Sequence, residues 1–208
     1  MPGRRRWMAA FGTVLALAAC AAAQKNELAG LIGRTFVSDQ GIVGATFNNP
    51  TVHFGNGLTF EGNYGRRFLD TGFVGLTLEI PAVFNVDEKL NSGTNATPRS
   101  YKSIFVTPSV RLNLFSANWV SPWVSFGGGW AYFKTSDQAQ YYGPYLGNTS
   151  TNTSAIQFGA GLDVRIHGSL SLRGTYRDFY TGVPDLNVNT GKSRQHNYLV
   201  SGGVLWRF

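Results

Sequence analysis

From residue 27 to the end, the chain alternates. Bulky apolar residues and small or polar ones take turns over stretches of about ten residues, the two-residue period of β-strands rather than the wider period of helices. The last stretch is the cleanest. Tyr198, Val200, Gly202, Val204, Trp206 and Phe208 share one face, opposed by Asn197, Leu199, Ser201, Gly203, Leu205 and Arg207. Leu162 and Val164 likewise oppose Gly161, Asp163 and Arg165, and Leu172, Gly174 and Tyr176 oppose Ser171, Arg173, Thr175 and Arg177. Val110 and Leu112 oppose Ser109, Arg111 and Asn113; Phe60 opposes Glu61, and Leu78 opposes Glu79. With Val124, Phe126 and Tyr132 on a further strand, and a less regular first strand near 27–36, the pattern predicts eight strands.

A water-soluble barrel or sandwich also alternates, so the contents of each face must decide. One face carries the volume, with aromatics near its ends: Tyr132, Tyr176, Tyr198 and Trp206 are expected at membrane interfaces. The other mixes Gly, Ser and Thr with single charges, too few for a solvated surface and suited to a narrow lumen. Eight strands leave an interior just filled by side chains. The connections add a rhythm. Segments 37–53, 85–101, 135–152 and 181–195 are long, and 66–71, 116–122 and 167–168 are short. Strict long–short alternation is the pattern of transmembrane barrels, and it places both termini on the short-turn, periplasmic side.

Composition narrows the classes. Only 14% of the 208 residues are charged, against about 25% in ordinary globular domains. Aromatics also reach 14%, and 26 residues are glycine, which excludes disorder and argues against a helical bundle. Residues 1–23 read as an export signal: Arg4, Arg5 and Arg6, an apolar run from Trp7, then Ala21-Ala22-Ala23 as a cleavage site. Lipidation at Cys20 is the alternative, less favoured because strand-like sequence begins almost at once. Without the three arginines, 15 basic residues face 11 acidic ones, a net of +4 with no basic stripe, so nucleic acid is not an expected partner. The cleaved chain also loses Cys20, the one cysteine, and no residue set implies a cofactor or a metal.

Taken with these features, Val204-Leu205-Trp206-Arg207-Phe208, the glycine-rich Pro122–Gly129 and Phe158–Arg165 resemble the small outer-membrane β-barrel proteins, the OmpA-type transmembrane domain and its relatives. The resemblance covers residues 28–208. It implies an all-β, eight-stranded antiparallel transmembrane barrel, an up-and-down meander closed by its first and last strands, in the outer membrane of a diderm bacterium. It implies outer-membrane lipid as surroundings and a monomeric state. It also gives Val204, Trp206 and Phe208 the role of a signal read by the barrel-assembly machinery. OmpA continues into a peptidoglycan-binding domain and this sequence stops at the last strand, so cell-wall anchoring is not carried over.

By parity Glu61, Glu79, Arg111, Asp163, Arg165, Arg173, Arg177 and Arg207 point inward, with Asp163 opposite Arg173 and with Glu61, Arg111, Asp163 and Arg173 at similar height. Charges withdrawn from water are tolerated when paired, which predicts an ionic plug. The expected role is therefore structural or surface-interacting, with long external loops free to meet an unknown extracellular ligand. A small anion channel is the alternative, favoured by the excess of arginine. A third class, a lipid A acyltransferase or deacylase, needs a rim histidine beside serine or acid, and neither His53 nor His196 shows that pattern in sequence. No enzyme is expected.

Overall fold

The computed structural model describes residues 25–208; the export signal and Cys20 lie outside the described residues. Eight long antiparallel strands form one closed ring. They are β1 (Asn26–Val37), β2 (Asn56–Asp70), β3 (Val74–Asn91), β4 (in two pieces, Ser100–Val106 and Ser109–Leu114), β5 (Val120–Thr135), β6 (Ser150–His167), β7 (Leu170–Gly182) and β8 (Arg194–Arg207). Each strand pairs with the next, and β1 closes the ring against β8, with Gly30 facing Val204 and Phe36 facing Tyr198. Full closure removes the unpaired edges that an open sheet would present. At the seam Gly203 lies so close to the Gly30 carbonyl and the Leu31 backbone that a Cβ there has no room.

Alternation sets the faces. Leu162, Val204 and Trp206 point away from the ring, and Trp206 is 51% exposed. Arg173 and Asp163 point into it and are each 2% exposed. In a molecule surrounded by water this would be inverted, since a water-facing wall of Leu, Phe, Val and Trp gains nothing from folding. A wall that meets hydrocarbon needs that surface, and a closed ring pairs strand amides and carbonyls with the neighbouring strands and leaves no open edge.

Three turns at one end are short, and four loops at the other are long. The strands, however, run further into the loops than the sequence reading places them: β3 continues to Asn91, β4 starts at Ser100 and β7 reaches Gly182. The cause is what lies inside at that end. Tyr101, Phe105, Phe133, Phe179, Val83 and Leu199 fill the ring and hold its extended edges together. The first loop adds two short strand segments, Gln40–Gly41 and Thr51–Phe54, the second pairing with β3 and laying Val52 into the mouth. β4 is interrupted at Thr107-Pro108, where proline has no N–H to give the ladder.

Candidate functional site

The interior has two layers. Toward the turn end lies a network of charge. Glu27 on β1 accepts hydrogen bonds from Arg67 Nη2 at 2.9 Å, Arg207 Nε at 3.2 Å and Arg173 Nη2 at 3.5 Å, and it also pairs with Arg111. Glu79 on β3 receives Arg111 Nη1 at 3.0 Å and Arg177 Nη1 at 2.9 Å, and the Asn63 amide donates to it at 3.0 Å. Asp163 takes both Nε and Nη2 of Arg173 at 2.7 Å, a bidentate pairing of planar groups that fixes both side chains. Glu61 meets Arg177 Nε at 2.9 Å and the Ser201 hydroxyl at 3.0 Å.

Trp123 is the hub of this layer. The guanidinium carbons of Arg111, Arg173 and Arg177 lie 5.6, 5.4 and 5.4 Å from its ring, and its Nε1 donates to Asp163 at 3.1 Å. A cation over an aromatic face is attracted by the ring quadrupole, more strongly once desolvated. Gly161 makes room for this indole, since a Cβ there would run into the ring.

The placements differ from the sequence reading in four ways. Arg165 is absent from the network. It sits half-buried at the turn-end mouth, one inward step beyond Asp163, and reaches the carbonyls of Ser116 and Ala117 at 3.4 Å. Glu61 shares a cross-strand row with Arg173 through Leu31 and Gly203, but its ion-pair partner is Arg177. Glu27 and Arg67, unassigned by parity, are network members, and Trp123 is its aromatic centre. Finally, the small and ionic filling ends halfway. Beyond it Phe105 stacks on Phe179 at 4.7 Å and 13°, and Phe133 meets Phe105 and Tyr101 edge-on at 5.8 Å. Inward positions near the loops lie where lipid no longer demands a bulky outward partner, so large residues take the inside instead.

On the outside, Tyr176 and Tyr198 stack at 6.3 Å, and His196 continues the stack above Tyr198 at 5.6 Å while bonding Asp178 at 2.8 Å, a strand-borne acid that the sequence reading did not place beside it because Asp178 lies on the neighbouring strand. Tyr132 stacks on Trp130 at 5.9 Å. Trp206 stacks on Phe208 at 4.7 Å at the opposite, turn end. Among the described residues no group of three or more His, Cys, Asp or Glu is placed to hold a metal ion.

The loops interlock over the apolar layer. Asn95 accepts the amides of Tyr141 and Tyr142, Asn187 donates to the Ala96 carbonyl, and the Tyr145 hydroxyl donates to the Asp185 carbonyl at 3.1 Å. Burial and the neighbouring Asp185 push the Tyr145 hydroxyl up to about 12. In the first loop, partial burial opposes ionisation of Asp39, but the Phe54 N–H at 3.0 Å and the His53 ring at 2.6 Å outweigh it and hold the carboxyl below its usual range. A depressed carboxylate stabilises above its unfolded pKa and loses that contribution as pH falls through the folded one. Protection of the Phe54 amide, taken relative to the intrinsic exchange rate at each pH, is therefore expected to hold from neutral through mildly acidic pH and to fall only as Asp39 protonates, below the ordinary aspartate range. Opening already near pH 6 would contradict this.

The family described as outer membrane protein beta-barrel domain matches residues 9–208. No curated protein matches the chain in sequence. Among solved structures, the barrel is similar to Neisserial surface protein A, with a TM-score of 0.55 at 13% identity over 88% of this chain and 97% of that one. It is also similar to the outer membrane protein OprG from Pseudomonas aeruginosa, with a TM-score of 0.56 at 11% identity over 90% of this chain and 97% of that one. At such identities the likeness speaks for the fold alone, and that fold is the closed ring already described. A ring with a hydrocarbon-facing wall, matched by that family over nearly all its length, belongs to the outer membrane protein beta-barrel domain family of the Gram-negative outer membrane.

Proposed function

We propose that this protein is a closed, non-conducting and non-enzymatic barrel that carries an ordered platform of loops at the cell surface. In this reading the long loops face outward and both termini face the periplasm, as a monomer inserted through the assembly machinery with Val204, Trp206 and Phe208 in its final strand. The observation that carries it is the double filling of the lumen. A continuous ionic layer and an aromatic layer lie one above the other, with Arg111, Arg177, Phe105 and Phe133 all fully buried. An ion crossing the ring would have to break paired charges and then displace packed rings, and both steps are costly.

Above this floor, the interlocked loops hold Tyr142 and Leu146 at 77% and 87% exposure. Rigidly held aromatic side chains offer contact area at little entropic cost on binding, which suits a surface for an extracellular partner. An anion channel is the rival reading, because the ionic layer itself sets five guanidinium groups (Arg67, Arg111, Arg173, Arg177, Arg207) against four carboxylates (Glu27, Glu61, Glu79, Asp163), although Asp70 also pairs with Arg67 at the rim and Glu88 is buried nearer the loops. Recording from the purified protein in a planar bilayer separates the two. The expected trace is flat at the baseline, and steady anion-selective steps would overturn the closed-barrel reading.

A further inference from the structure

On the outer wall near the loop end, β4 and β5 place two lysines face to face. Lys102 and Lys134 are directly paired across the strands, and both are exposed on the outward side. Like charges directly opposite one another destabilise a sheet. Other charged groups at that end have company. His196 has Asp178, Arg194 lies over the Tyr180 ring at 5.3 Å and donates to Ser154, and Arg34 and Lys89 line one groove with Asp87. Among the described residues, Lys102 and Lys134 have no ion-pair partner, and both line a cavity of about 340 Å³ together with Ser100, Tyr101, Thr135, Ser136 and Asp137.

What stands beneath this pair matters as much. The next outward positions are Ile104 and Tyr132, paired with each other, and then Val106 and Trp130, with Tyr132 stacked on Trp130. From the loops toward mid-wall, the surface thus passes from two cations and hydroxyls to two apolar rungs, each pairing an aliphatic side chain on β4 with an aromatic one on β5. That is the polarity profile of a phosphorylated lipid standing against the wall, with phosphate uppermost and acyl chains below.

We propose that Lys102 and Lys134 together hold a phosphate of a phosphorylated glycolipid in the outer leaflet. A shared phosphate offsets the repulsion between the lysines and accepts hydrogen bonds from both. Ser100 and Ser136 offer hydroxyls beside it, and Asp137 is an acceptor for sugar hydroxyls, which favours a glycolipid over a simple phospholipid. The inference rests on the loop end facing outward. Its test is made in micelles, where orientation plays no part, so failure here would leave the topology reading standing.

The test is native mass spectrometry of the refolded protein with purified diphosphoryl lipid A, on the original chain, on K102Q/K134Q, and on R34Q as a variant that loses an exposed charge elsewhere. Unchanged heat-dependent gel mobility checks that each variant folds. The double variant is expected to bind about thirtyfold more weakly, the effect of two membrane-surface cations. R34Q is expected to bind like the original chain. Lipid A stripped of phosphate should bind the original chain as weakly as intact lipid A binds the double variant, and phosphatidylglycerol should not compete. Equal binding by the original chain and K102Q/K134Q, an equal loss in R34Q, or equal competition by phosphatidylglycerol would each overturn the proposal.

Discussion

Glu27→Gln is expected to lower the unfolding free energy of the refolded barrel by about 3–5 kcal/mol. Glutamine keeps the shape and removes the charge. Arg67, Arg111, Arg173 and Arg207 all converge on that carboxylate; Arg111 and Arg173 are enclosed, while Arg67 and Arg207 sit at the rim, Arg67 also paired with Asp70 at 2.8 Å. Its loss leaves Glu61, Glu79 and Asp163 within the layer, and Asp70 at its rim, against five guanidinium groups, and an uncompensated buried charge costs far more than the gain from any one pair. An exposed ion pair, by contrast, contributes about 0–1 kcal/mol. Arg165 supplies the internal control. It points toward the same mouth but makes no ion pair among the described residues, so Arg165→Gln should cost under about 1 kcal/mol. Urea unfolding in lipid vesicles measures both. A loss below about 1 kcal/mol for Glu27→Gln would show that the network relaxes around the change and does not order the interior.

Phe105→Ala should cost a similar amount, about 3–5 kcal/mol, for an unrelated reason. Phe105 is fully buried, stacked on Phe179 and edge-on to Phe133. Truncation removes both contacts and leaves a cavity that the closed ring cannot collapse to fill. The ionic layer below is untouched, so the same variant should remain electrically silent in a bilayer. Loss of stability without conductance is the signature of two independent layers. A conducting Phe105→Ala barrel would mean that the aromatic layer alone closes the lumen. A stability change below about 1 kcal/mol would mean that this layer is loosely packed.

The sequence carried the faces and the closure of this fold, and the reasons are specific. A two-residue period leaves only two choices for each strand, so one unambiguous residue orients its neighbours: Val204 outward forces Arg207 and Leu205 inward. The pairing of Asp163 with Arg173 followed from the tight connection at Gly168 and Ser169, which sets the register of β6 against β7. Less legible was whatever departed from the small-inside rule. Trp123 lies inward despite its bulk, and the signal that could have found it is the glycine facing it across β6, Gly161. Arg67 fell in a segment read as a turn, because β2 extends to Asp70. Glu27 opens β1 beside Asn26 and Leu28, where too few alternations precede it to fix a face. Tyr101, Phe133 and Phe179 read as strand ends merging into loops, since their outward neighbours Lys102, Lys134 and Asp178 are charged and blur the pattern. The loop contacts depend on Asn and Tyr side chains meeting residues far away in sequence, and no local rule predicts them.

Tryptophan fluorescence tests the arrangement of the wall and lumen most directly, because two indoles lie at opposite poles of the claim. Trp206 is half-exposed on the outer wall, and Trp123 is 2% exposed among arginines. Variants keeping only one of these tryptophans, with the others changed to phenylalanine, are to be refolded into vesicles containing brominated phospholipid. The expected result is strong quenching of Trp206 by the lipid, with Trp123 quenched neither by the lipid nor by acrylamide in the water. Quenching of Trp123 by acrylamide, with Trp206 untouched by brominated lipid, would mean that the bulky face is the core and the charged face meets solvent.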